Sequence, residues 1–172
     1  MSETKKKVLF FAADHYEDLE LWYPKIRLKE AGYETVVAAK EKKTFKGKNG
    51  YPVNADLTLE EVNPDDYAGV VIPGGYAPDI MRRYEKLLSI VRTIFRSGKP
   101  VAAICHAAWV PVSAGIVKGK RMTCFMSIKD DVMNAGAEYV DSEVVVDGNL
   151  ITSRFPDDLP AFCKAIIAAL EK

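Results

Sequence analysis

The segment GKPVAAICHAAWVPVSAG, residues 98–115, decides the fold class of this chain. Its apolar run, Val101 to Ile104, ends abruptly in Cys105 and His106, and small residues follow at once. The run predicts a buried strand, and the residues from His106 to about Gly115 predict the helix that follows it. A buried strand that leads directly into a helix is the building block of a parallel sheet covered by helices.

The position of Cys105 at this turn matches a nucleophile elbow. An elbow requires small residues two positions before and after the reactive residue, and Ala103 and Ala107 occupy those positions. The N–H groups at the start of the helix would point at the sulfur and lower the pKa of the thiol towards a thiolate at neutral pH. The alternative is a buried structural cysteine, a common environment for this residue type. The local pattern favours the nucleophile.

The segments on either side repeat the pattern of strand and helix. Apolar residues at helical spacing (Leu19, Trp22, Ile26 and Leu28) separate the strand-like segments KVLFFAA and YETVVAA. A third strand is predicted in YAGVVIPGG, and further helices are predicted at residues 85–96, in IKDDVMNAG and in DDLPAFCKAIIAALE. Residues 41–62 and the segment SEVVVDGNLITS carry turn signals and predict hairpins. We therefore predict one α/β domain over residues 1–172, with a mostly parallel sheet, helices on both faces and a small β-hairpin excursion.

Composition and charge exclude several classes of function. The chain has 24 basic and 24 acidic residues, so no excess positive charge points to nucleic acid. Its three cysteines have neither disulfide nor metal-ligand spacing, and we expect neither a metal nor a cofactor. There is no signal-peptide core and no run of about 18 apolar residues, so we expect a cytoplasmic protein that does not bind membranes.

Two further strand ends carry unusual residues, and ligands bind at the carboxyl ends of strands in open parallel sheets. After the first strand, four acidic residues lie at the start of a helix. Favourable interaction with the helix dipole explains Asp14, Glu17 and Asp18, but not Glu20, which lies one turn into the helix. After YAGVVIP, the pair Gly74-Gly75 allows a turn with exposed N–H groups, and Asp79 follows as a cap for the next turn. Trp22 and Trp109 are expected in the core or at a subunit interface.

Taken together, these segments resemble the DJ-1/PfpI family, and most closely its PfpI-like branch, within the class I glutamine amidotransferase-like superfamily. The matching pieces run in family order over nearly the whole chain: YEDLELWYP, GKNGYPVNADLTLEEVNPDDY, VVIPGGYAPD, GKPVAAICHA, SAGIVKGK, IKDDVMNAGAEYVD and VVVDGNLITSR. The resemblance implies a flavodoxin-like three-layer sandwich.

The resemblance also assigns roles to residues at the three strand ends. It implies that Cys105 is the nucleophile, with His106 beside it and Glu20 as the acidic partner of the sulfur. The Gly74-Gly75 turn would supply backbone N–H groups, and those of Gly75 and His106 would face a developing oxyanion.

Features near these residues follow from the same resemblance. PfpI-like members assemble as dimers, often stacked into hexamers, in which an acid at the position of Asp79 can reach the histidine of a neighbouring subunit. Some members carry glutamate at the position of Asp79 and tyrosine at the position of Phe125. This chain departs from that pattern, because Asp79 is shorter than glutamate and Phe125 lacks the tyrosine hydroxyl. Glu17 and Phe125 are expected to contact the substrate.

The predicted function is a cysteine-dependent hydrolase or lyase. Its substrates would be small aldehydes, glycated proteins or peptides, as in deglycases, glyoxalases that need no cofactor, and intracellular cysteine peptidases. The alternative is a redox-sensing stress protein or chaperone in which Cys105 is oxidised to a sulfinate. A glutaminase-type amidotransferase is disfavoured, because both histidines, His15 and His106, lie outside the late His-Glu pair that it requires.

Overall fold

The computed structural model describes residues 5–172, and within them a seven-stranded sheet forms the centre of the molecule. The strands in chain order are β1 (Lys7–Phe11), β2 (Glu34–Ala39), β3 (Thr44–Lys46), β4 (Pro52–Asn54), β5 (Leu57–Thr58), β6 (Tyr67–Ile72), β7 (Val101–Ile104), β8 (Arg121–Met122), β9 (Glu138–Tyr139), β10 (Val145–Asp147) and β11 (Leu150–Ser153). The central sheet has the order β10-β11-β7-β6-β1-β2-β5. All its neighbours are parallel except β10 and β11, which form the predicted antiparallel hairpin.

The middle strands are apolar along their whole length because helices cover both faces of the sheet. The side chains from Val8 to Phe11 in β1 and from Val101 to Ile104 in β7 are all buried. The buried side chains of both faces join in one continuous core.

The helices are α1 (Asp18–Glu30), α2 (Ala77–Met81), α3 (Glu85–Arg96), α4 (Trp109–Ala114), α5 (Lys129–Asn134) and α6 (Leu159–Leu170). Helix α1 packs against α6, whereas α3 packs against α4, which also contacts α2 and α5. The predicted flavodoxin-like sandwich with a mostly parallel sheet is confirmed. In the described residues, no helix is long and apolar enough to cross a membrane.

Helix α1 buries a different face from the one that its apolar spacing predicts. Leu19 and Ile26 are 57% and 59% exposed, whereas Glu20 and Leu21 are fully buried. The helix therefore turns its acidic residue towards the sheet and leaves two large apolar side chains outside.

The predicted hairpin excursion is present as β3 and β4, which pair with each other outside the central sheet. Its loop is attached to α1 by the buried carboxylate of Asp18, which accepts hydrogen bonds from the backbone N–H groups of Asn49 (3.0 Å) and Tyr51 (2.9 Å). Gly47 is required in this loop, because a Cβ atom there would overlap the Asp18 carboxylate. The hairpin is thus held over the carboxyl end of the sheet.

Candidate active site

Cys105 lies at the carboxyl end of β7 in a left-handed backbone conformation, with a φ of 63°. A single 3₁₀ turn, Cys105–Ala108, joins the strand to α4. Such a φ is uncommon in residues other than glycine and concentrates at functional sites, where the surrounding structure maintains the strain. The strand-to-helix turn predicted from the alanine spacing is therefore present, and it places the thiol at the edge of the sheet.

Glu20 reaches the same edge from α1. Its Oε2 accepts a hydrogen bond of 2.8 Å from the backbone N–H of Gly74. Its other oxygen, Oε1, is buried without a hydrogen-bond partner in the described part of the chain. The carboxyl and the Cys105 thiol are nevertheless close enough to shift each other's pKa. The two side chains thus lie within contact range, but no hydrogen bond of standard geometry is formed.

The glycine pair permits this close approach. A Cβ atom on Gly74 would lie 2.9 Å from the Cβ of Cys105 and would overlap Glu20 Oε2. Gly75 has a φ of 79°, and a Cβ there would lie 2.5 Å from the backbone of the chain that enters α1. Because Glu20 occupies the N–H of Gly74, the N–H groups that face the sulfur are those of Gly75 and His106. Of the two predicted glycines, only Gly75 therefore has its N–H available to an oxyanion.

His106 points back towards the thiol, although it is the next residue in the chain. Its Nδ1 lies 3.3 Å from the sulfur of Cys105. The ring stacks on Phe125, with centroids 5.0 Å apart, and meets the edge of Trp109 at 5.3 Å. The left-handed backbone at Cys105 makes this approach possible, because it turns the chain sharply between the two residues.

The protonation states of these groups follow from their burial. Desolvation, and then the charge of Glu17, raises the pKa of Glu20 to about 8, so this carboxyl is protonated at neutral pH. Desolvation, and then the positive charge of Lys48, lowers the pKa of His106, which keeps the imidazole neutral.

The expected fall in the pKa of the Cys105 thiol is not found. Burial raises it, and so does the charge that Glu20 carries once that carboxyl ionises, whereas the N–H groups of His106 and Gly75 offset only part of this effect. A helix terminus stabilises a thiolate in water, but here the sulfur has left water. At neutral pH the site therefore holds a thiol, a neutral imidazole and a protonated carboxyl.

These three groups open into a cavity of about 270 Å³. The other side chains around it include Glu17, Lys48, Tyr76, Trp109, Phe125 and Phe155. Glu17 and Phe125 thus lie where substrate contacts were predicted. Lys48 was not predicted at this site. Trp109 packs against the core, as predicted, and also lines the cavity. The Asn49-Gly50 turn directly after Lys48 predicted a hairpin at this point in the chain. It did not predict which edge of the sheet the hairpin covers.

Comparisons with known proteins identify the family of the chain. The sequence model described as the DJ-1/PfpI family matches residues 6–169. The chain belongs to the DJ-1/PfpI family.

Two relatives and one solved structure illustrate the similarity within the DJ-1/PfpI family. The chain is 48% identical to a protein named deglycase PfpI from Pyrococcus furiosus, covering 96% of this chain and 99% of the relative. It is 40% identical to protein/nucleic acid deglycase 2 of Escherichia coli, and the match covers 96% of this chain and 98% of that relative. The crystal structure of a protein from Anabaena variabilis with DJ-1/ThiJ/PfpI-like and ferritin-like domains superposes with a TM-score of 0.95 at 44% identity. This match covers 97% of the present chain but 48% of that longer one.

Asp79 lies outside this constellation within its own chain. It belongs to the five-residue helix α2 and forms a salt bridge with Arg83 one turn later. The predicted approach of Asp79 to His106 of a neighbouring subunit stays a prediction, as does self-association. Cys124 and Cys163 are buried, and burial raises the pKa of each thiol to about 12. No group of side chains in residues 5–172 has the composition and spacing of a metal site.

Proposed function

We propose that this protein is a cysteine-dependent enzyme that converts 2-oxoaldehydes, and the adducts they form with amines, into 2-hydroxy acids. The observation that carries the proposal is the arrangement of three neutral groups, Cys105, His106 and Glu20, at one small cavity. A thiol has a proton acceptor 3.3 Å away and a protonated carboxyl on another side. Relatives named deglycases support the same reaction class.

The first step transfers the proton of the Cys105 thiol to Nδ1 of His106 while the sulfur attacks the aldehyde carbon. A new C–S bond forms, the C=O double bond becomes a single bond, and the aldehyde oxygen takes up a proton from the Glu20 carboxyl to give a hemithioacetal. The N–H groups of Gly75 and His106 stabilise the charge that develops on this oxygen. With an amine adduct as the substrate, the sulfur replaces the nitrogen instead. The C–N bond then breaks, and the released amine takes a proton from the Glu20 carboxyl.

The second stage is an isomerisation followed by hydrolysis. The hydrogen on the sulfur-bearing carbon leaves as a proton, and the adjacent carbonyl carbon gains one, which produces a thioester of the 2-hydroxy acid. Water then attacks this thioester, the C–S bond breaks, and the thiol regains its proton. The two carbons exchange oxidation levels internally, so no external oxidant or reductant is required.

Cavity size favours small substrates over polypeptides. A volume of about 270 Å³ accommodates a three-carbon aldehyde or the modified end of a side chain. Peptidase activity, the other reaction considered from the sequence, is therefore less well supported. The redox-sensor alternative needs the same loss of the thiol proton to His106, so oxidation of Cys105 without aldehyde turnover would support that alternative instead.

The experiment measures lactate formed from methylglyoxal, and free amine released from methylglyoxal-modified N-acetyl-lysine, by the wild type and variants. We expect no turnover by Cys105→Ser, a strong loss in Glu20→Gln and His106→Ala, and full activity in Cys163→Ala, which removes a buried thiol elsewhere. Amine release must exceed the spontaneous dissociation rate of the adduct, since an enzyme that only consumed free aldehyde could not accelerate that step. Absence of lactate formation by the wild type, or activity that survives in Cys105→Ser, would overturn the proposal.

A further inference from the structure

Ser127 contacts the side of His106 that faces away from the Cys105 thiol, and it has no part in the proposed chemistry above. We propose that Ser127 is a positioning residue that stabilises one tautomer of His106, the one in which Nδ1 faces the Cys105 thiol without a proton and Nε2–H donates to the serine hydroxyl. The inference deepens the proposed function, on which its effect on turnover rests, but its geometric basis is independent of the substrate.

The two ring nitrogens of His106 have different partners. Nδ1 lies 3.3 Å from the sulfur of Cys105, and Nε2 lies 3.2 Å from the hydroxyl oxygen of Ser127. Both distances allow a hydrogen bond involving the ring. The three side chains therefore form a chain from Ser127 through His106 to Cys105, similar in logic to a hydrolase triad in which the third member orients the base.

A neutral imidazole has two tautomers, and a serine hydroxyl can either donate to Nε2 or accept from it, so the proton that the Cys105 thiol presents to Nδ1 decides between them. A neutral ring carries one proton, so Nδ1 can accept the thiol proton only when Nε2 carries the ring's own. The Nε2–H group needs an acceptor, and the hydroxyl oxygen of Ser127 provides one at 3.2 Å. When His106 takes up the thiol proton, both nitrogens become donors, and this hydrogen bond becomes charge-assisted and stronger. Ser127 thus supports the resting tautomer and also the protonated state that attack produces.

The segment that carries Ser127 holds the imidazole on its other sides as well. Phe125, two residues earlier, stacks on the ring. Asp131, four residues later, accepts a hydrogen bond of 2.8 Å from the indole N–H of Trp109, whose ring meets the edge of His106. A single stretch, residues 125–131, therefore determines the plane of the ring and the partner of its outer nitrogen. Ser127 itself is exposed, so its role depends on the position of the ring, which Phe125 and Trp109 hold beside this segment.

The test uses two readouts that do not depend on turnover. In ¹⁵N spectra of the histidine side chains, we expect the wild type to show an unprotonated Nδ1 and a protonated Nε2 for His106. The chain's other histidine, His15, is exposed and provides the internal reference. In Ser127→Ala we expect mixed tautomers, together with a fall of about 3- to 10-fold in the rate at which iodoacetamide alkylates Cys105, as expected for the loss of one hydrogen bond. Ser127→Thr keeps the hydroxyl and should restore both readouts.

Two controls make the result decisive. Ser89→Ala removes an exposed hydroxyl from α3 and should change neither readout. Asp79→Asn tests whether an acid from a second copy of the chain orients the ring instead. If the tautomer responds to Asp79 and not to Ser127, or if Ser127→Ala leaves the spectrum and the alkylation rate unchanged, the inference is wrong. If both readouts behave as expected but the wild type makes no lactate, the proposed function fails while the role of Ser127 stands.

Discussion

Replacing Glu20 with glutamine should make the protein more stable at neutral pH, although it removes a residue of the active site. The folded chain holds this carboxyl protonated, with its pKa raised to about 8 from an ordinary value of 4.5. The unfolded chain ionises it in water. Between these two pKa values the folded state binds the extra proton, so rising pH favours the unfolded state. The stability associated with the neutral carboxyl is thus fully present below pH 4.5 and is lost as pH rises towards 8.

The size of the effect follows from the two pKa values. At about 1.4 kcal/mol per pH unit, the full difference corresponds to roughly 5 kcal/mol, of which about half is lost between pH 5 and pH 7. Glutamine cannot ionise, and its carbonyl oxygen can still accept the hydrogen bond from Gly74. The variant should therefore lack this part of the pH dependence.

The assay is urea unfolding of the wild type and Glu20→Gln at intervals from pH 5 to pH 9. The difference between the two curves isolates Glu20, because every other titrating group is common to both proteins. Glu30→Gln, which removes an exposed carboxyl from the same helix, is the matched control and should follow the wild type. If the free energies of unfolding of the wild type and Glu20→Gln run parallel across this range, the carboxyl is ionised in the folded protein and the proposed proton donor is absent.

Two other substitutions test the packing that assembles the site. Gly74→Ala would bring a methyl group into contact with the Cys105 side chain and into overlap with Glu20, so we expect a loss of about 1–3 kcal/mol in stability and at least a tenfold loss in methylglyoxal turnover. Normal kinetics and stability in this variant would show that the two side chains are farther apart than described. Asp18→Ala would leave two backbone N–H groups of the hairpin loop without their acceptor, at a cost of about 1–3 kcal/mol each. Hydrogen exchange should show faster exchange at those two amides, with a smaller effect in Asp18→Asn.

The strand-to-helix turn could be predicted because its requirements are local. An apolar run, two alanines at the correct spacing and a cysteine between them are all contiguous, and the turn forms as expected with Cys105 in a left-handed conformation. The approach of Glu20 to this edge of the sheet could also be anticipated, since it lies one turn into a helix that starts there, but its hydrogen bond with Gly74 was not predicted. The buried face of that helix could not be predicted, because Leu19 and Ile26 suggested a different one.

The sequence by itself therefore determined the order of strands and helices, the family and the chemical identity of the reactive groups, because these depend on short-range patterns. Only the tertiary structure decided how those groups behave. The pKa of the Cys105 thiol is raised and not lowered as expected, because burial and the charge of Glu20 come from other elements of the fold. Ser127 meets His106 across a separation of 21 residues, and no spacing rule connects the two positions. Desolvation and contacts between distant segments exist only once the chain has folded, so the state of the site is a property of the packed molecule.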